Sequence, residues 1–148
     1  AEQYEPNSHG KIRIFINTEG GELHAAFALV EVMQASRIPI ETIAIGQCAS
    51  AGLIIFMSGT KGMRTITPSC TTLTHNFSTD VGGNYANLMS TYKELRATND
   101  RIVAHYVECT GLTPKAINAK LLSASDIWLS PADCVKYGIA DQIGRVTF

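Results

Sequence analysis

The segment Gly46-Gln47-Cys48-Ala49-Ser50-Ala51-Gly52 carries the densest chemical signal in the chain. It joins an apolar run that reads as a strand to one that reads as a buried helix, so Ser50 stands at a helix N-terminus. The first backbone N–H groups of a helix have no partner inside it and favour negative charge. A hydroxyl beside such donors has what acyl transfer requires: an attacking oxygen, and hydrogen bonds for the oxyanion formed on attack. Small neighbours leave the serine accessible. The plainer use of the same residue is an N-cap among close-packed small residues, a common fate for serine at such a junction. Gly20-Gly21, ahead of another helical pattern, is either a simple turn or a place where an extended peptide or an oxyanion nears the main chain.

A hydroxyl nucleophile needs a base and a group to orient the base. His75 closes the strand-like run Thr71-Thr72-Leu73-Thr74. The other histidines are His9, His24 and His105, and none pairs with another at metal-ligand spacing. Asp126 precedes Ile127-Trp128-Leu129-Ser130, and Asp80, Asp100, Asp133 and Asp141 compete with it for the third role. Asp133 is committed to a helix cap and Asp141 falls on the last strand. Residue chemistry does not choose among the rest.

These groups need a frame. Residues 11–16 read as a mostly buried strand. Leu23, Ala26, Phe27, Val30 and Met33 form one apolar stripe of a helix that ends before Pro39. Ile40 to Ile45 reads as a second strand, and Leu53 to Met57, apolar on all sides, as a buried helix. Short strands follow at 63–67 and 71–75, then a polar loop from Asn76 to Gly83. The longest helical pattern runs from Asn84 to about Glu108. Thr113-Pro114 and Ser130-Pro131 open two further helices, each with a hydroxyl cap and proline at the first position. Residues 139–146 return as a final strand. Alternation of this kind points to one α/β domain.

The 148 residues, 45% hydrophobic and 17% charged, suffice for a real core. A net charge of −1 provides no bulk field toward nucleic acid or anionic lipid. No apolar run reaches the ~18 residues of a membrane span. The polar start, Ala1 to Gly10, is not a signal peptide. Cys48, Cys70, Cys109 and Cys134 form no CxxC pair and read as small buried thiols in a reducing cytoplasm.

Taken in order along the chain, these motifs resemble the ClpP family, the proteolytic subunits of the Clp protease. Ile16-Asn17-Thr18-Glu19-Gly20-Gly21 is similar to the family's Ile-Asn-Ser-Pro-Gly-Gly. Gly46 to Gly52 resembles its Gly-Gln-Ala-Ala-Ser-Met-Gly, and Lys61-Gly62-Met63-Arg64 its Lys-Gly-x-Arg turn. Thr74-His75-Asn76 stands where the family has Met-His-Gln. Asp126 to Asp141 resembles its Asp-x-x-Leu/Met-Ser segment and the Tyr-Gly-x-x-Asp beyond.

The resemblance implies a ClpP/crotonase-like α/β fold of repeated β-β-α units with a projecting handle helix, in one domain over 1–148. It implies a serine endopeptidase with nucleophile Ser50, base His75 and orienting carboxylate Asp126. Oxyanion donors fall on the backbone N–H groups of Gly21 and Ala51, and no metal or organic cofactor is expected. Implied partners are unfolded polypeptide, an ATP-dependent unfoldase, and further copies of the chain in two stacked rings of seven. Three departures stand out. Glu19 replaces a proline, Ala51 replaces a methionine, and the family's N-terminal axial segment has no counterpart here. A crotonase-like acyl-CoA enzyme and a non-catalytic ring subunit are the rival expectations. The intact set of Ser50, His75 and Asp126 speaks against both. Tyr85, Leu88, Tyr92, Leu95, Asn99, Ile102 and Tyr106 make a heptad-like seam along a helix of roughly 37 Å, expected to join the two rings.

Overall fold

In the computed structural model, residues 10–77 and 82–146 are described; His9 and Asp80 lie outside them. The elements follow the order β1 (Ile12–Thr18), α1 (Leu23–Gln34), β2 (Ile40–Ala49), α2 (Ala51–Met57), β3 (Arg64–Ile66), β4 (Thr71–Thr74), α3 (Tyr85–Thr110), α4 (Pro114–Lys120), β5 (Ile127–Leu129), α5 (Pro131–Lys136) and β6 (Gln142–Ile143).

β2 is the axis of the sheet. It is the longest strand among those described, and Ile40, Ile43, Ala44, Cys48 and Ala49 are buried along it. β1 pairs with it in parallel along one edge. The other edge is shared: Thr42 to Ala44 pair with β3, and Gln47 to Ala49 pair with β4, both in parallel. β6 extends the sheet beyond β3, and β5 joins β4 antiparallel. Parallel neighbours require crossovers, which α1 and α2 supply. α1 buries Ala26, Phe27, Val30 and Met33, the stripe expected from its spacing. α2 is apolar almost all round, and six of its seven residues are buried in the core.

Two sequence expectations need adjustment, and one strand carries no local signal. The final strand does not occupy 139–146: only Gln142–Ile143 pair as β6, and the N–H groups of Ile139 and Ala140 bond back to the Cys134 carbonyl at the end of α5 instead. β5, three residues long, is too short to leave a periodic signature. The seam along α3 does not face one partner. Its C-terminal half, with Ile102 and Tyr106, packs into the domain's own core. Its N-terminal half leaves Tyr85 80%, Leu88 39% and Tyr92 55% exposed. At ~1.5 Å rise per residue, the 26 residues of α3 span about 39 Å, more than the core beneath can cover.

Two polar devices hold the frame. Ser130 and Asp133 form a reciprocal capping box at α5, as the motif predicts. Arg64, 3% exposed, makes two hydrogen bonds to the Asp141 carboxylate at 2.9 and 2.6 Å, and a third to the Cys109 carbonyl at 3.0 Å. Asp141 also accepts from the N–H groups of Gly62 and Arg64, which closes the Lys61–Arg64 turn onto the sheet.

Candidate active site

Ser50 is the hinge between β2 and α2, and its backbone is unusual. It has φ 53° and ψ −122°, and it is the single non-glycine residue with positive φ among those described. Such a conformation costs an L-residue about 1–3 kcal/mol and persists only where the surroundings impose it. Here they do. The Ser50 N–H donates to the Leu73 carbonyl at 3.0 Å, and its own carbonyl accepts from Leu53 N–H at 3.0 Å. The strand-to-helix turn is therefore tied to β4 on one side and to α2 on the other. The side chain makes no cap hydrogen bond to α2. Ser50 Oγ points instead to His75, 2.8 Å from Nε2. The strained turn on a strand end presents the hydroxyl away from the helix, the geometry of a nucleophile elbow.

Strand register brings His75 there. β2 and β4 run parallel with Ala49 opposite Leu73. Ser50 and His75 thus leave the carboxyl ends of neighbouring strands, where ligands gather in α/β sheets. β5 then runs antiparallel to β4 with Thr74 opposite Ile127. One further step of that register sets Asp126 opposite His75. Asp126 is exposed, and among the described residues no hydrogen bond joins it to His75. The structure brings Ser50 and His75 into contact and leaves Asp126 beside them, unengaged. Of its competitors, Asp133 is used in the α5 cap, Asp141 is used by Arg64, and Asp100 lies exposed on α3.

Of the other described histidines, His105 serves the core and His24 lines the rim of the cleft that holds Ser50 and His75. His105 is buried, with Nε2 3.0 Å from the Ile54 carbonyl and its ring edge-on to Phe27. Burial pushes its imidazolium pKa down, which keeps it neutral. His24 is exposed on the first turn of α1.

The segment before α1 lies flat against the start of α2. A Cβ on Gly20 would come within 2.7 Å of Ser50 Cβ, and one on Gly52 would strike the Thr18 methyl. Side chains at those positions would push the two segments apart. Gly20 N–H donates to Thr18 Oγ1 at 3.1 Å, which fixes the turn. Gly21 follows with φ 143° and open space around it. Ala51 is the first residue of α2, so its N–H has no partner inside the helix. Both line the cleft that holds Ser50 and His75. Glu22, also at the rim, caps α1 by accepting from the N–H groups of His24 and Ala25, and those bonds lower its pKa.

The cleft has a volume of about 410 Å³. Ile54, Phe77, Leu95, Ile102 and Leu122 make its apolar wall, with Tyr106 among the residues lining it. Thr98 donates to the Glu94 carboxylate at 2.8 Å on the α3 side. Glu22, Glu94 and Thr98 escape sequence reasoning, because nothing local marks a helical or capping residue as facing a cleft. Leu95, Ile102 and Tyr106 carried a signal as seam positions, though not as site residues. Among the described residues no three His, Cys, Asp or Glu side chains gather as a metal-binding set, and no helix is long and apolar enough to cross a membrane. The four cysteines are unpaired thiols, and burial pushes Cys134 up to about 11.

A serine hydroxyl in hydrogen-bond contact with an imidazole, beside free N–H groups and an apolar cleft, can carry out acyl transfer. Comparison with known proteins points the same way. The sequence pattern of the family described as Clp protease matches residues 3–147. The ATP-dependent Clp protease proteolytic subunit of Deinococcus radiodurans is 31% identical over 137 residues, 93% of this chain and 66% of that protein. Proteolytic subunit 1 of Leifsonia xyli is 31% identical across 93% of this chain and 68% of its own length. The subunit of Streptococcus pyogenes is 30% identical across 89% of this chain and 67% of its own. The chain spans about two thirds of the length of these relatives.

Proposed function

We propose that this chain, which belongs to the Clp protease family, is a serine endopeptidase subunit that hydrolyses peptide bonds with Ser50, His75 and Asp126. The observation that carries this reading is Ser50 itself: a strained elbow whose hydroxyl lies 2.8 Å from His75 Nε2 above an apolar cleft. A serine serving only as a cap would turn its oxygen to the helix and needs no positive φ.

The geometry of Ser50 and His75 supports the following steps. An extended peptide lies over Gly20-Gly21 with one side chain in the cleft. His75 Nε2 takes the Ser50 proton as Oγ attacks the carbonyl carbon. The N–H groups of Gly21 and Ala51 hold the oxyanion, which places negative charge at the start of α2. His75 then gives its proton to the leaving amine, and water releases the acyl group by the same path reversed. For Nε2 to accept a proton, the ring hydrogen must be on Nδ1. Asp126, one register step across, accepts a hydrogen bond from Nδ1–H once it turns inward, and so holds the tautomer and supports the imidazolium.

The exposed apolar N-terminal half of α3 supports contact with a second copy, and we place the chain in a self-compartmentalising assembly of two stacked rings of seven. The name of the relatives, ATP-dependent Clp protease proteolytic subunit, supports an ATP-driven unfoldase as the source of substrate. The four unpaired thiols suit a reducing cytoplasm. A fluorophosphonate probe tests the core of this proposal. It should form an adduct mapped to Ser50, and Ser50→Ala should lose both the adduct and about 10⁴-fold of peptidase activity. An adduct on another serine would refute the assignment. Absence of any adduct would favour a crotonase-like or non-catalytic chain.

A further inference from the structure

Tyr106, which lines the cleft, begins a run of buried hydroxyls that the hydrolytic steps leave unused. Tyr106 Oη lies 2.8 Å from Thr74 Oγ1, and Thr74 Oγ1 lies 2.9 Å from the Leu121 carbonyl oxygen. Tyr106 is 2% exposed, and Thr74 and Leu121 are fully enclosed. A hydroxyl has one hydrogen to give. The Leu121 carbonyl only accepts, so it takes the Thr74 hydrogen, and Tyr106 must donate to Thr74. The chain therefore runs one way, from the phenol through the threonine to the carbonyl. Burial pushes the Tyr106 pKa far up, so its hydrogen is always there to give.

Three elements meet at this point. Tyr106 belongs to α3, Thr74 is the last residue of β4, and Leu121 is the C-cap of α4. The residue after Thr74 is His75. The segment after Leu121 leads to Asp126. An apolar residue at position 74, such as the methionine of the resembling motif, would pack there but leave its exact depth adjustable. A directional bond between enclosed partners does not, because leaving either end unpaired is costly.

We infer that Tyr106 is a positioning residue for hydrolysis: through Thr74 it sets where His75 meets Ser50, and through the Leu121 carbonyl it anchors the segment that carries Asp126. The inference rests on Ser50 and His75 being the reacting pair.

The test uses the assembled protein and two readouts: the rate of fluorophosphonate labelling of Ser50, and kcat and KM on a fluorogenic peptide. Thr74→Val keeps the shape and deletes the link. It should slow labelling and lower kcat by about 10- to 100-fold, the scale of a misplacement near 1 Å, with KM within about 2-fold. Thr74→Ser keeps the hydroxyl and should restore the rate. Tyr106→Phe leaves Thr74 bonded to Leu121 and should fall between the two, which decides the matter if Thr74→Val does not fold. Variants that melt earlier but label at the unchanged rate would reduce the hydroxyl chain to a structural tie and overturn the inference. A raised KM with kcat intact would make Tyr106 only a cleft wall, which also overturns it. Failure of the unchanged protein to label at Ser50 would remove the inference together with the peptidase reading, whereas normal labelling in all variants removes the inference alone.

Discussion

Replacing Ser50 by glycine should stabilise the chain relative to replacing it by alanine, against the usual order. In most positions glycine is weaker than alanine by about 0.5–1 kcal/mol. Ser50 holds φ 53° and ψ −122°, which costs an L-residue about 1–3 kcal/mol and glycine almost nothing. Glycine widens the unfolded ensemble by about 0.4–1 kcal/mol relative to alanine. Both variants lose the 2.8 Å contact with His75, so that term cancels. The remainder favours Ser50→Gly over Ser50→Ala by about 0.5–2 kcal/mol. At ~2.1 cal/mol/K per residue over 148 residues, this corresponds to roughly 2–6 °C in Tm. Urea unfolding followed by far-UV circular dichroism measures it, at one matched subunit concentration because association changes apparent stability. On the proposed mechanism neither variant forms the acyl-enzyme, so stability is read apart from catalysis. If Ser50→Ala is as stable as Ser50→Gly or more so, the elbow stores no strain and the argument that the fold presents this hydroxyl at a cost is wrong.

Asp126→Asn should keep the assembly and lower peptide turnover by up to about 10⁴-fold, while Asp100→Asn leaves it near normal; the reverse result in a steady-state assay would move the third role off Asp126. Asp141→Ala should cost about 3–5 kcal/mol in chemical denaturation, since it strands the Arg64 guanidinium at 3% exposure. Burial alone would push the Asp141 pKa up, but the hydrogen bonds and charge of Arg64 outweigh it and hold the pKa below its ordinary value. The folded state therefore keeps this carboxylate ionised at a pH where the unfolded chain has begun to protonate it. Its contribution is full above the ordinary carboxylate pKa of ~3.9 and is lost as pH falls through the lower folded value, so the gap between Asp141→Ala and the unchanged chain should narrow in acid. Aspartates at both Leu88 and Tyr92 should reduce the particle in analytical ultracentrifugation with helix content kept, and native-size particles would show that this part of α3 carries no contact.

Much of the frame was legible from sequence because its signals are local. The caps at Thr113 and Ser130, the stripe of α1 and the apolar surround of α2 each arise within a few residues, and each stands in the structure where the pattern puts it. The Ser50 junction was legible for the same reason: small residues between a strand and a buried helix leave a hydroxyl at a helix start. The sequence could not say which way that hydroxyl turns, and a cap was the commoner reading. Only the tertiary structure turned it to His75, because the N–H of Ser50 is held by Leu73 on a strand formed 23 residues further on. The choice among the aspartates was closed to residue chemistry for a related reason. Asp126 lies beside His75 through the antiparallel register of β4 and β5, and Asp141 is withdrawn by Arg64, a partner 77 positions away. The seam of α3 shows the same division. Its period is a property of the chain, but where the core stops beneath it depends on how the sheet, α2 and α4 pack together. Pairing and packing join residues with no shared local signal, so only the folded chain decides them.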